Sequence, residues 1–144
     1  MQNEYPVSVS IVTLRFDRDG SGEKEAYTYA GRVSEGDRYT LTYTASEDGQ
    51  KTVLSFCKEQ PETICLLQSG EVSCELCFEA GRGYTALYRV AGAGELDIEI
   101  KPRVVTNEAG ERARRIRLDY EATIGGARMR TVMTLIVERI DIEA

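Results

Sequence analysis

Apolar and polar residues alternate along much of this chain with a period of two, a pattern typical of β-strands that have one covered face. The clearest stretch is residues 114–142, which predicts two long strands joined at Gly125 and Gly126. Two adjacent glycines favour a tight hairpin because they adopt the positive φ angles that primed turns require. We therefore use this hairpin to assign inward and outward faces.

A turn at these glycines determines which residues face each other. On one face it pairs Ile124 with Ala127, Ala122 with Met129, Tyr120 with Thr131, Leu118 with Met133 and Ile116 with Leu135. On the other face it pairs Glu121 with Arg130 and Arg117 with Thr134. A shift of one residue would exchange the apolar and charged faces, so the pattern predicts a single register. The apolar face needs a second apolar surface to cover it.

Clusters of Gly, Pro, Asn and Asp divide the rest of the chain into further short strands. These are predicted at residues 7–16, 24–33, 38–45, 51–58, 63–68, 72–78, 84–89 and 95–101. The first turn is predicted at residues 17–22, and residues 107–110 are expected to form the last loop before the hairpin. Pro102 is expected to mark an edge or a bend, since proline cannot donate to a strand ladder.

About ten strands with short links, and no sustained helical period, predict an all-β antiparallel up-and-down meander. Closing such a sheet into a barrel removes its edges, so the first and last strands are expected to meet. A barrel of eight to ten strands is either filled by side chains or holds one small ligand. A two-layer sandwich is the alternative fold. The length of 144 residues predicts a single domain, residues 1–144.

The charge and hydropathy of the chain indicate whether it binds nucleic acid or membrane. The net charge is −6 and the pI is near 4.8, which disfavours nonspecific binding to nucleic acid or anionic lipid. No apolar run is long enough for a membrane span, and the first ten residues lack the basic and apolar regions of a signal peptide. We therefore expect a cytoplasmic protein that binds neither nucleic acid nor membrane.

Arginine outnumbers lysine by fourteen to four, and six arginines lie on or beside the last hairpin. These are Arg112, Arg114, Arg115, Arg117, Arg128 and Arg130, of which Arg115, Arg117, Arg128 and Arg130 share the predicted outer face. One interpretation is an anion site on that face. The simpler interpretation is a solvated surface whose charge is balanced by Asp119, Glu121 and Glu138.

The four cysteines are Cys57, Cys65, Cys74 and Cys77. A two-residue turn at residues 69–70 would place Cys65 opposite Cys74, and a three-residue link before the fifth strand would place Cys57 opposite Cys65. Cys74 and Cys77 are three residues apart and should face opposite sides of a strand, so they cannot chelate without a bulge. A zinc site, a disulfide between Cys65 and Cys74, and reduced thiols all stay open, and the cytoplasm favours the last. No cofactor or metal is predicted.

Short motifs occur in a defined order between about Val7 and Val137. They are residues 39–43, the turn at residues 69–70, residues 78–81, Tyr88 with residues 94–96, and residues 118–120 followed by Gly125. In this order the chain resembles the YwiB-like bacterial proteins, an uncharacterised family with a calycin-like (lipocalin-like) β-barrel. The resemblance implies that fold and a cavity within it. It implies no activity, because function resides in sites rather than in folds.

The predicted inward positions include an unusual number of polar-tipped rings. Tyr39, Tyr43, Tyr88, Tyr120 and Thr131 supply hydroxyl groups, and Phe56, Phe78, Leu118, Met129 and Met133 supply apolar walls. Either these side chains fill the barrel, or they line a cavity for a small, largely apolar ligand.

The absence of histidine and of any catalytic motif argues against an enzyme. The sequence therefore predicts a non-catalytic binder of a small ligand. The alternative function is a structural or interaction protein that forms a homodimer, or binds an acidic partner, through the outer face of the last hairpin.

Overall fold

The computed structural model describes residues 3–17, 20 and 22–140, which form ten β-strands. The strands are β1 (Asn3–Phe16), β2 (Gly22–Glu35), β3 (Arg38–Thr44), β4 (Lys51–Cys57), β5 (Ile64–Ser69), β6 (Val72–Phe78), β7 (Tyr84–Val90), β8 (Gly94–Ala109), β9 (Ala113–Ile124) and β10 (Ala127–Arg139). Arg18, Asp19 and Ser21 of the predicted first turn, and residues 141 and 142 of the predicted hairpin, lie outside the described residues. Within the described part of the chain, no helix is long and apolar enough to cross a membrane.

Each strand pairs with the next in antiparallel fashion, and β1 also pairs with β10, so the sheet closes into a barrel. The closing contact runs from the pair of Val7 and Arg139 to the pair of Phe16 and Arg130. Closure gives backbone partners to strands that would otherwise be edges. The predicted meander barrel is confirmed, and the sandwich alternative is wrong.

The last hairpin has the predicted register at every pair named from the sequence. Ile116, Leu118 and Leu135 are fully buried inside the barrel, whereas Arg117 and Arg130 lie on the outer face and are exposed. The register is determined by the turn at residues 125–126, where both glycines have positive φ angles. The alternation rule therefore assigns inside and outside correctly here.

Strand β8 is longer than predicted, and the loop expected at residues 107–110 is wrong. The strand continues to Ala109, and the chain reverses only at Gly110. Pro102 does not end the strand, because the β8–β9 register shifts by one residue between Pro102 and Val104. This bulge lets the ladder resume after a residue that has no N–H to donate. The expected irregularity at Pro102 is therefore a bulge within a continuous strand.

Inward side chains from all ten strands form one buried cluster. The rings of Phe56 and Tyr39 stack with centroids 4.8 Å apart, and those of Phe78 and Tyr120 pack at 4.9 Å. Aromatic pairs at these distances add to the stabilisation that comes from burying the rings. Side chains thus fill the interior of the barrel around both of these ring pairs.

The predicted register that sets Cys65 opposite Cys74 is wrong, and the favoured expectation of reduced thiols is wrong for Cys65 and Cys77 but agrees with the free thiols of Cys57 and Cys74. The β5–β6 register pairs Gln68 with Cys74 and Cys65 with Cys77, and the latter two form a disulfide. The predicted turn at residues 69–70 fails because β5 includes Ser69 and the chain reverses around Gly70 and Glu71, which moves the register by three residues. Ser55, rather than Cys57, lies opposite Cys65. Cys74 is buried and Cys77 is half-buried on the opposite face, as three-residue spacing predicts.

We expect Gly31→Ala to lower the free energy of unfolding by about 2 kcal/mol, because added atoms in a packed core force strain. A Cβ at Gly31 would lie 2.9 Å from the backbone oxygen of Thr42 and 3.2 Å from Cγ2 of Val9. Gly83→Ala is the matched control, since its Cβ would approach no atom closer than 3.4 Å. Urea unfolding that gives the two variants equal stability would contradict this account of β2–β3 packing.

Candidate functional site

A cleft of about 240 Å³ opens at the end of the barrel where β1 begins and β10 ends. It is lined by Tyr5, Val7, Glu35, Tyr39, Ala109, Gly110, Glu111, Arg112, Ala113, Arg114, Val137 and Arg139. We call these residues the arginine mouth. Three arginines face two glutamates here, so the lining is positive in a chain that is acidic overall.

The arginine mouth is built from inward positions of the long strands that extend past the packed core. Val7 and Val137 are buried inside the barrel, and they pair with Arg139 and Arg114 respectively. Directly paired residues share a face, so both arginines point into the barrel opening. Tyr5 precedes Val7 by two residues and therefore lies on the same face.

Arg114 is held by neutral groups. Its guanidinium carbon lies 4.8 Å from the ring centroid of Tyr39 and 5.1 Å from that of Phe56. Its Nη1 donates to Oδ1 of Asn107 at 2.6 Å, and Nδ2 of Asn107 donates to the backbone oxygen of Pro61 at 2.8 Å. Cation–π contacts and an amide acceptor orient a guanidinium without cancelling its charge. Arg114 is thus fixed in place and still able to attract an anion.

Arg139 and Arg112 are neighbours in the lining of the same opening. The guanidinium of Arg139 lies 4.4 Å from the ring centroid of Tyr5. Arg112 is in the β8–β9 turn, where its backbone oxygen accepts from the N–H of Arg139 at 3.2 Å. The side chain of Arg112 is exposed and has no ion-pair partner among the residues that the structure describes.

Glu35 is a half-buried acid in the arginine mouth. Tyr5 donates its hydroxyl to Oε2 of Glu35 at 2.7 Å, and Nζ of Lys58 lies 3.3 Å from Oε1. Burial alone would raise the pKa of Glu35, but hydrogen bonds from Tyr5 and Lys58, with the charge of Arg114, hold that pKa below its usual 4.5. Glu35 is therefore ionised at neutral pH.

The tyrosine hydroxyls of the mouth stay protonated at neutral pH. Burial, followed by the hydrogen bond to Glu35, raises the pKa of Tyr5. Burial raises the pKa of Tyr39 to about 12. The mouth therefore presents guanidinium and hydroxyl donors, a pattern suited to carboxylate or phosphate oxygens. Among the described residues, no group of three Asp, Glu, Cys or His side chains is placed to hold a metal ion.

Most of the residues predicted to line a cavity lie in the packed interior. Tyr39, Tyr43, Phe56, Phe78, Leu118 and Thr131 are buried, and Tyr88, Tyr120 and Met133 are partly buried against the same cluster. Met129 differs, because it is 42% exposed at the rim opposite the arginine mouth, where it lines a second cleft with Arg15. Met129 therefore does not form the buried apolar wall expected of it.

The buried tyrosine hydroxyls have partners within the chain. Tyr43 bonds to Thr52, Tyr120 to Thr131, and Tyr88 to the thiol of Cys74. Among the described residues, no buried side-chain nitrogen or oxygen lacks a hydrogen-bond partner. A ligand head group is not needed to satisfy these hydroxyls.

The outer face of the last hairpin contains one feature that the alternation rule missed. Asp119 points outward but is only 3% exposed, because Arg130 closes over its carboxylate. Nε and Nη2 of Arg130 donate to the two carboxylate oxygens at 3.0 and 2.8 Å. The hydrogen bond from Arg130 lowers the pKa of Asp119. The predicted balance of charge is present here as a bidentate ion pair in which the carboxylate is buried and the arginine side chain is 43% exposed.

The comparisons with known proteins agree with this fold. The family model described as Domain of unknown function (DUF1934) matches residues 9–135. The chain is similar to the crystal structure of the ywiB protein from Bacillus subtilis, with a TM-score of 0.81, 20% sequence identity, and coverage of 96% of this chain and 94% of that chain. No curated protein sequence matches the chain. The predicted resemblance to YwiB-like proteins is confirmed, and the chain belongs to the DUF1934 family.

Proposed function

We propose that this protein is a non-catalytic binder of a small molecule that carries a carboxylate or phosphate group. The observation that carries the proposal is the arginine mouth, a cleft of about 240 Å³ lined by Arg112, Arg114 and Arg139. Guanidinium groups bind the planar edge of a carboxylate, or two phosphate oxygens, through paired N–H donors. Arg112 and Arg114 are the residues that contact the anion.

The electrostatics of the mouth support binding in spite of the net charge of −6. An anion feels mainly the charges within a Debye length, about 8 Å at physiological salt. In the arginine mouth, Glu35 is already bonded to Tyr5 and Lys58, whereas Arg114 is held by uncharged groups. The lining holds three guanidinium groups against two carboxylates, so its net charge is positive.

The proposal places the ligand at the mouth rather than deep in the barrel, where the sequence predicted a largely apolar molecule. Packed rings occupy the interior around Phe56 and Phe78, and the tyrosine hydroxyls bond to neighbouring side chains. The non-catalytic assignment is supported by the absence of histidine, and the raised pKa values of Tyr5 and Tyr39 keep these two hydroxyls from acting as general bases near neutral pH.

Arg114→Met should weaken binding of succinate or inorganic phosphate by about tenfold, since a hydrogen bond to a charged group contributes about 1.5 kcal/mol or more. Methionine keeps an apolar stem over the rings of Tyr39 and Phe56 but removes the charge. Isothermal titration calorimetry measures the change. Arg89→Met is the matched control, because Arg89 is exposed and outside the arginine mouth. Equal affinities for wild type and Arg114→Met would contradict the proposal.

Glu35→Gln should tighten binding of the same anions by about threefold, because it removes a negative charge while glutamine keeps an acceptor for the Tyr5 hydroxyl. The opposite signs expected for Glu35→Gln and Arg114→Met separate an electrostatic site from general damage to the mouth. Calorimetry at about pH 7 keeps Glu35 ionised in the wild type. A loss of affinity in both variants would count against an anion site.

A second candidate function is association of two copies of this acidic chain through the outer face of the last hairpin. Arg115, Arg117 and Arg128 form no ion pair among the described residues, and Ile136, the register partner of Arg115, is 42% exposed. Sedimentation velocity of wild type and Arg117→Glu tests this candidate. A monomer in every salt concentration, with no change in the variant, would remove its support.

A further inference from the structure

The first half of β2 has a backbone neighbour on one side only. Residues 22–30 pair with β1, whereas pairing with β3 begins at Gly31 and ends at Glu35. No other backbone hydrogen bond involves residues 22–30 within the described part of the chain. Every second residue of this half-strand therefore directs its N–H and C=O away from β1 toward an open side. We call residues 22–30 the β2 edge.

One face of the β2 edge is acidic and aromatic. Glu23, Glu25 and Tyr27 share the face of Tyr29, because side chains alternate along a strand. Glu25 is paired with Arg15 of β1 at 3.2 Å, whereas Glu23 forms no ion pair among the described residues. The hydroxyl of Tyr29 donates to Oε1 of Glu47, which brings the acidic β3–β4 loop to the same face. The opposite face presents Lys24, Ala26, Thr28 and Ala30. The carboxylates of this region are therefore concentrated on one face.

A ladder of tyrosine rings leads from the core to this open face. The rings of Tyr43 and Tyr29 stack at 5.7 Å with an interplanar angle of 8°, and those of Tyr29 and Tyr27 stack at 5.8 Å and 12°. Tyr29 is buried, but Tyr27 is 43% exposed. An exposed tyrosine ring beside carboxylates is a favourable position for a lysine or arginine side chain.

We propose that the β2 edge docks an extended segment of another protein that carries lysine or arginine at alternate positions. The segment adds a strand to the sheet through its backbone, and its basic side chains lie over Tyr27 and beside the carboxylates of Glu23 and Glu47. This surface is at the opposite end of the barrel from the arginine mouth. The two proposals are independent.

The charge pattern favours a basic segment over a second copy of the chain. Two β2 edges paired about a twofold axis perpendicular to the sheet would put Glu23 and Glu25 of both copies on one face. Registers that set Glu23 of one copy directly opposite Glu25 of the other are destabilised by like charge. The net charge of −6 adds to this repulsion. A basic partner avoids both the like-charge contacts between the strands and the repulsion between two acidic chains.

The test uses the full chain and an acetylated, fluorescently labelled peptide of about eight residues that alternates lysine and threonine. Fluorescence anisotropy should show binding about tenfold tighter than that of a peptide alternating glutamate and threonine. Tyr27→Ser and Glu23→Gln should each weaken binding about threefold. Glu99→Gln, an exposed carboxylate on β8, should leave the affinity unchanged.

Methylation of the peptide nitrogens separates strand addition from simple charge attraction. Only alternate residues of an added strand direct their N–H groups toward the β2 edge. Methylating all lysine nitrogens or all threonine nitrogens should therefore abolish binding in one peptide and preserve it in the other. Equal binding of the two methylated peptides would overturn the proposal. So would an unchanged affinity in Tyr27→Ser and Glu23→Gln, or a dimer of the chain that excludes the peptide.

Discussion

Replacing Phe56 by alanine should lower the free energy of unfolding by about 4 kcal/mol, the cost of removing a large ring from a packed core. Phe56 is 1% exposed, and its ring stacks on Tyr39 at 4.8 Å. The same ring lies 5.1 Å from the guanidinium carbon of Arg114. Its loss should therefore also free Arg114 and weaken anion binding, measured by calorimetry beside urea unfolding.

Phe78→Ala is the control that separates these two effects. Phe78 is equally buried, but it packs on Tyr120 and does not line the arginine mouth. It should lose about as much stability as Phe56→Ala while keeping wild-type affinity for succinate. If both variants bind succinate equally well, the ring of Phe56 does not position Arg114.

Arg130→Met should lower the free energy of unfolding by about 3 kcal/mol, because it removes the hydrogen-bonded counterion of the buried Asp119 carboxylate. Asp119→Asn should cost less. Its former partner Arg130 has a side chain that is 43% exposed and can turn to water. Arg128→Met removes an outward arginine that forms no ion pair among the described residues, and it should change stability by less than about 0.5 kcal/mol.

The same pair makes stability depend on acid pH. The hydrogen bond from Arg130 lowers the pKa of Asp119 from its usual 3.8 in the folded state. The stabilisation is thus fully present above that usual value and is lost as the pH falls through the lowered one. Urea unfolding should show a smaller acid loss in Arg130→Met than in the wild type. Parallel pH profiles would show that the pair does not contribute.

Local chemistry made the last hairpin predictable from the sequence. The turn at residues 125–126 has one favourable geometry, and the apolar alternation around Leu118 and Met133 allows one register. The sequence of the β5–β6 hairpin determines its register less strongly, because the same residues are compatible with a turn that begins at Ser69 and with one that begins at Gly70. Only packing of the neighbouring strands decides between them, and the pairing of Cys65 depends on that choice.

The arginine mouth was only partly accessible to sequence reasoning. The predicted hairpin register already implied that Arg114 faces inward opposite Val137, yet its charge drew attention to the outer face instead. Seeing a site there requires knowing that the core ends near Val7 and that β1, β9 and β10 extend beyond it. Where the core ends relative to these strands depends on the lengths of other strands that are distant in sequence. The buried carboxylate of Asp119 was missed because alternation distinguishes faces and not exposure.

An anion should bind at the arginine mouth. Amide chemical shifts of the isotope-labelled protein, recorded during titration with succinate, test it most directly. We expect saturable shifts concentrated at Tyr5, Glu35, Gly110 and Arg114, with none at the opposite turn of residues 125–126. Shifts centred on Met129 and Arg15 at the other rim, or no saturable shifts at all, would contradict it.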